Sequence, residues 1–153
     1  LSTMESSVRK LVVAVLLVMG SACKSAPVAQ GGPTTGASSP KAAVDGFLGA
    51  VKAQDLQAMS NVWGNKKGPA RAAIERSELE KRELIMQCYL GHDSYNVLND
   101  SPGEGGRRLF RVSLTKGRLT RETKFTTIEG PSGRWYVEDV DLAPTSDLCK
   151  SRG

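Results

Sequence analysis

Near residue 94 the spacing of apolar residues changes from the helical period to the strand period, and this change limits the fold more than any motif does. Upstream, Val44, Phe47, Leu48 and Val51 fall at i, i+3, i+4 and i+7, one stripe on a helix. Downstream, Phe110, Val112 and Leu114 alternate, which puts them on one face of a strand. Runs 94–98, 109–114, 119–128 and 135–142 are rich in strand formers. Between them stand Asn99-Asp100-Ser101-Pro102-Gly103-Glu104-Gly105-Gly106, Lys116-Gly117 and Gly130-Pro131-Ser132-Gly133. Connectors this short cannot carry a parallel crossover, so the four strands form an antiparallel meander. Helices followed by a meander predict an α+β domain, with the N-terminal helices packed on one face of a four-stranded sheet. Val137 and Val140 lie three apart in the last strand, which predicts a bulge there.

The helix ends are marked. Ser39-Pro40 supplies a hydroxyl cap and a proline at the first helical position. Asp55 reads as the cap of a second, shorter helix that turns Leu56, Met59, Val62 and Trp63 inward, and residues 64–69 read as a turn. Residues 70–76 are expected to continue as helix. Ser77-Glu78-Leu79-Glu80 reads as a capping box opening a helix that buries Leu79, Ile85, Met86, Tyr89 and Leu90 and stops at Gly91. At 153 residues with 39% hydrophobic content, the chain has material for one core. Phe47, Trp63, Tyr89, Tyr95, Phe110, Phe125 and Trp135 either fill that core or line a pocket in it.

The N-terminal region has a different character. Arg9 and Lys10 precede nine apolar residues, 11–19, and then Gly20-Ser21-Ala22-Cys23. That is the anatomy of a secretory signal peptide over residues 1–22, and the apolar run is about half of what a membrane-spanning helix needs. Gly20-Ser21-Ala22-Cys23 resembles the bacterial lipoprotein signal, although Gly20 stands where a larger apolar residue is usual. The resemblance implies cleavage before Cys23 and its acylation; ordinary signal peptidase cleavage at the same bond is the alternative. Residues 23–40 then read as a lipidated cysteine and a flexible linker rich in Gly, Ser, Ala and Pro, with the domain at 41–153. Lys24 is not the aspartate that marks inner-membrane retention in enteric bacteria. The resemblance thus implies a protein held by lipid in the bacterial cell envelope, on the outer membrane facing the periplasm.

With Cys23 assigned to lipid, Cys88 and Cys149 are left, either as a disulfide that an oxidising compartment permits or as two buried thiols. No Cys-x-x-Cys is present and His92 is the single histidine, so neither a metal site nor a cofactor is expected.

Ala43-Val44-Asp45-Gly46-Phe47-Leu48, Ala53-Gln54-Asp55-Leu56 and Arg134-Trp135-Tyr136-Val137 resemble the nuclear transport factor two-like superfamily, within the cystatin-like class of folds. The resemblance implies a cone-shaped domain whose curved sheet wraps a long first helix. It says little about chemistry, because the superfamily holds enzymes, carriers and scaffolds. Its enzymes place an acid or base in the cone, for which His92 and Asp93 are the candidates here. In a regular strand, however, neighbouring residues face opposite sides, and His92 can simply oppose the carbonyl end of the preceding helix as a cation.

Charge is uneven along the chain. Arg107, Arg108, Arg111, Lys116, Arg118, Arg121 and Lys124 cluster against Glu122 alone, while Glu138, Asp139, Asp141 and Asp147 follow. A basic hairpin beside an acidic strand predicts cross-strand ion pairs on a solvated face; its functional reading is attraction to an anionic envelope component. Export and an aromatic content of 5% argue against nucleic acid. The sequence therefore points to a lipid-anchored envelope protein with a non-catalytic domain that binds a ligand or protein partner. One alternative is a small cone-fold isomerase or hydrolase using His92 or Asp93. The other is a structural module that forms homodimers.

Overall fold

The first helix, α1 (Pro40–Ala53), begins where Ser39 accepts a hydrogen bond from the Ala42 amide at 3.1 Å and Pro40 occupies the first helical position. These coordinates are a computed structural model that describes residues 34–151. The leader, Cys23 and most of the linker lie outside the described residues. Asp55 caps α2 (Leu56–Val62) by accepting from the Ala58 amide at 2.9 Å. A minimal hairpin, β1 (Gly64–Asn65) and β2 (Gly68–Pro69), follows, then a 3-10 turn at Ala70–Ala72 in place of the expected continuous helix. Next comes α3 (Arg76–Tyr89), followed by β3 (Ser94–Pro102), β4 (Arg108–Lys116), β5 (Leu119–Glu129) and β6 (Trp135–Val140). A 3-10 stretch, Ala143–Leu148, closes the domain.

The four long strands pair antiparallel in chain order, so the fold is α+β with the expected meander. Thr126 pairs with Asp139 and Thr127 with Val137, which leaves Glu138 as the extra residue of a bulge in β6. That bulge is the device by which Val137 and Val140 both turn toward the core. A second bulge, at Leu98 in β3, has no counterpart in the apolar pattern.

Val44, Phe47, Leu48 and Val51 of α1 are buried against Phe110, Val112 and Leu114 of β4 and Phe125 of β5. Phe47 meets Phe125 edge to face, ring centres 6.1 Å apart. Each such side chain stabilises the fold by about 1.5–3 kcal/mol. On the opposite face of the sheet Arg111, Glu122, Lys124 and Thr126 stand beside Leu109, which is 39% exposed.

The folded domain starts earlier than its composition suggests. Ala37 and Trp135 exchange main-chain hydrogen bonds of 2.8 and 2.9 Å, and Arg134 donates to the carbonyls of Thr35 and Gly36. Gly36 has φ +71, and a Cβ on it would lie 2.9 Å from Arg134 Cβ. Glycine composition marks a tether when read locally; here a glycine is what lets the chain lie against β6. Ala37 and Trp63 both bridge β6, so its outer edge is covered.

Candidate functional site

The α3 helix carries the features on which the site is built. Glu75 caps it by accepting from the amides of Ser77 and Glu78 at 2.9 and 3.3 Å, so the helix opens ahead of the Ser77 capping box. Its inward stripe is Leu79, Glu83, Met86 and, just past its end, Leu90. Leu84 and Ile85 are each 52% exposed and Tyr89 is half-buried, so the expected burial of Ile85 and Tyr89 is corrected. Ile85 lies beside Leu84 on the outward side of α3, whose buried face is centred on Leu79, Glu83 and Met86. The stripe includes a carboxyl group, which sequence patterning assigns to solvent.

Two clefts flank α3. The first, about 380 Å³, lies where α1 and α3 end and the β4–β5 turn approaches. Lys52, Gln87, His92 and Lys116 line it, with Cys88 at its wall. Lys52 Nζ donates to the Asp93 carbonyl at 2.7 Å and Lys116 Nζ to the Leu148 carbonyl at 2.8 Å. Each ammonium has two further donors.

His92 is 7% exposed. Its Nδ1 lies 2.8 Å from the Leu90 carbonyl, which only accepts, so Nδ1 carries the proton. Nε2 is buried without a partner among the described residues, as is Nε2 of Gln87. Burial holds the imidazole below its usual pKa, the Leu90 hydrogen bond opposing this, so His92 is a neutral ring and not the cation expected at a helix end. Its ring packs edge to face on Tyr95, whose hydroxyl donates to Asp45 at 2.8 Å. Burial and then that hydrogen bond push the phenol up to about 12.

Because β3 begins only at Ser94, the strand alternation does not separate His92 from Asp93, and both line the first cleft. They do not work as a pair. The Asp93 carboxylate accepts from the Gly117 amide at 2.7 Å and fastens the β4–β5 turn, while the His92 ring is bonded to Leu90.

The second cleft, about 410 Å³, lies between α2, the Ala70–Ala72 turn and α3. Glu83 forms part of its wall; the residue is 2% exposed and its Oε1 has no hydrogen-bond partner among the described residues. Burial, and secondarily the negative charge of Glu80, push this carboxyl up to about 7. Neither Glu83 nor Arg71, on the same cleft, was recognisable as a site residue. The available signal was a glutamate four residues after Leu79 and three before Met86 in a buried stripe.

The other expected residues fall as follows. Phe47, Phe110 and Phe125 are buried together in the core, with Trp63, Tyr95 and Trp135 packed against it. Among the pocket candidates, Trp63 lines two shallow surface clefts beside Glu138. Cys88 and Cys149 form a disulfide with Cα atoms 4.7 Å apart. Of the basic hairpin, Arg107 pairs with Glu138, Arg108 with Asp100, Arg111 with Glu122 and Arg121 with Asp147, at 2.5–3.6 Å. Among the described residues no acidic or histidine cluster suits a metal ion, and no helix is long and apolar enough to cross a membrane. Compared with protein-family models, curated proteins and solved structures, the chain matches none.

Proposed function

We propose that this is a lipid-anchored protein of the bacterial cell envelope whose nuclear transport factor two-like domain binds an anionic ligand without converting it. The observation that carries the binding reading is the pair Lys52 and Lys116. Both enter one cleft held by carbonyl groups, and neither has a carboxylate partner among the described residues. Four of the seven hairpin cations are neutralised by carboxylates, so attraction to anions concentrates where pairing is absent. The separate commitments of His92 and Asp93 favour binding over catalysis. The Cys88–Cys149 bond suits an oxidising compartment and leaves Cys23 for acylation. Three helices followed by a meander around α1 agree with the superfamily's layout.

Titration with inorganic phosphate at low salt, followed by NMR, tests the cleft. Lys52 and Lys116 respond first, affinity weakens as salt rises, and the double substitution Lys52→Gln, Lys116→Gln removes saturable binding. Binding unchanged in the double variant overturns the reading. For the anchor, the mass of protein taken from native membranes should equal residues 23–153 plus acyl chains. An unacylated protein in the soluble fraction refutes it.

A further inference from the structure

The second cleft holds two groups of opposite charge that nothing in the described chain satisfies. Glu83 is buried with Oε1 unpartnered, although a methionine or leucine in its place would continue the apolar stripe. Leaving a buried polar atom without a hydrogen bond costs about 1–3 kcal/mol. Arg71 enters the same cleft from the turn after β2 and belongs to no ion pair among the described residues. The remaining charges there cancel locally: Arg76 Nε bonds Glu80 Oε1 at 3.1 Å. From α2 the cleft receives Gln57 and Ser60, both uncharged, and the Ser60 hydroxyl is already donated to the Gln57 carbonyl.

Glu83 and Arg71 do not pair with each other, though they share one cleft of about 410 Å³. A lone cation entering would meet Arg71, and a lone anion would meet Glu83. A molecule bearing both charges satisfies both ends. Ile74 and Leu79 supply an apolar wall beside them. From this juxtaposition we infer that the cleft between α2 and α3 binds a free α-amino acid, its ammonium on Glu83 and its carboxylate on Arg71. Guanidinium–carboxylate geometry is suited to the second contact, and an ammonium replaces the hydration that Glu83 lacks. Binding the ammonium requires Glu83 ionised, so its proton leaves to solvent on binding. Nothing in this inference depends on the lipid anchor or on the Lys52–Lys116 cleft.

The test is calorimetric titration of the full chain with leucine, 3-methylbutylamine and 4-methylpentanoate, the last two being leucine without its carboxylate and without its ammonium. At pH 8 leucine binds at least tenfold tighter than either analogue. At pH 6, one unit below the Glu83 value of about 7, its affinity falls about tenfold as ligand competes with the proton. Glu83→Gln, which preserves shape, and Arg71→Gln, a change at a partly exposed site, each weaken leucine at least tenfold while circular dichroism stays unchanged. Absence of saturable leucine binding overturns the inference. So does an amine that binds as tightly as leucine, or a Glu83→Gln protein that keeps wild-type affinity.

Discussion

Glu83 and His92 are both nearly closed off from water, and burial moves their proton affinities in opposite directions. The Glu83 carboxyl goes from an ordinary 4.5 up to about 7, so between those values the folded protein holds a proton that the unfolded chain has released. Its contribution to stability is therefore complete below pH 4.5 and is lost as the pH rises through 7. Glu83→Gln cannot ionise. We expect this variant to exceed the wild type by about 3 kcal/mol above pH 7 and to match it below pH 4.5, in urea unfolding. His92 behaves in the reverse sense. Its folded pKa lies below the usual 6.5 because burial disfavours the imidazolium, so its contribution is present above 6.5 and is lost as the pH falls through the folded value. Below pH 6.5, where the two windows overlap, they oppose each other. Glu83→Gln then leaves a stability that rises with pH in that range, and His92→Gln leaves one that falls. Equal slopes in the two variants would show that burial of these groups is not the source.

At the scale of elements, legibility followed how completely one face of each element is apolar. The α1 stripe contains no polar interruption, and Ser39 and Asp55 cap as their types dictate, so both helix starts were readable. Asp55→Ala should cost about 1 kcal/mol, the usual loss of a side-chain cap, measured by thermal unfolding. In α3 the stripe is interrupted by Glu83, and Ile85 and Tyr89 offered a more apolar face that was wrong. The corrected face has a direct check: Met86→Ala costs about 2–5 kcal/mol and Ile85→Ala less than about 1 kcal/mol, although the side chains are neighbours in sequence. Comparable losses would restore the face drawn from patterning. The β6 bulge was legible because two inward valines stood three apart. The Leu98 bulge lies in an edge strand whose residues are mostly exposed, so no alternation existed for it to break.

The whole molecule is held by contacts that span long stretches of chain, and these are what a local pattern omits. The basic hairpin was evident from composition, but which cations stay uncommitted depends on register: Arg107 reaches Glu138 and Arg121 reaches Asp147 only once the meander has formed. The same closure ties the Ala143–Leu148 turn to α3 through Cys88–Cys149, two residues separated by 61 positions that include the four strands β3–β6. Restricting the unfolded chain over such a loop stabilises the fold by about 4 kcal/mol. Cys88→Ser with Cys149→Ser should accordingly lower Tm by about 15 °C. The bond also has a local consequence. Lys116 is positioned by the Leu148 carbonyl, one residue before Cys149, and Cys88 forms part of the wall of the first cleft. Releasing the turn frees Lys116, so the serine variant, assayed well below its Tm, should bind phosphate more weakly than the wild type while leucine binding at Glu83 persists. Loss of both ligands together would mean that the variant had unfolded, which circular dichroism at the same temperature distinguishes; loss of leucine binding alone would contradict the assignment of the disulfide to the Lys116 cleft.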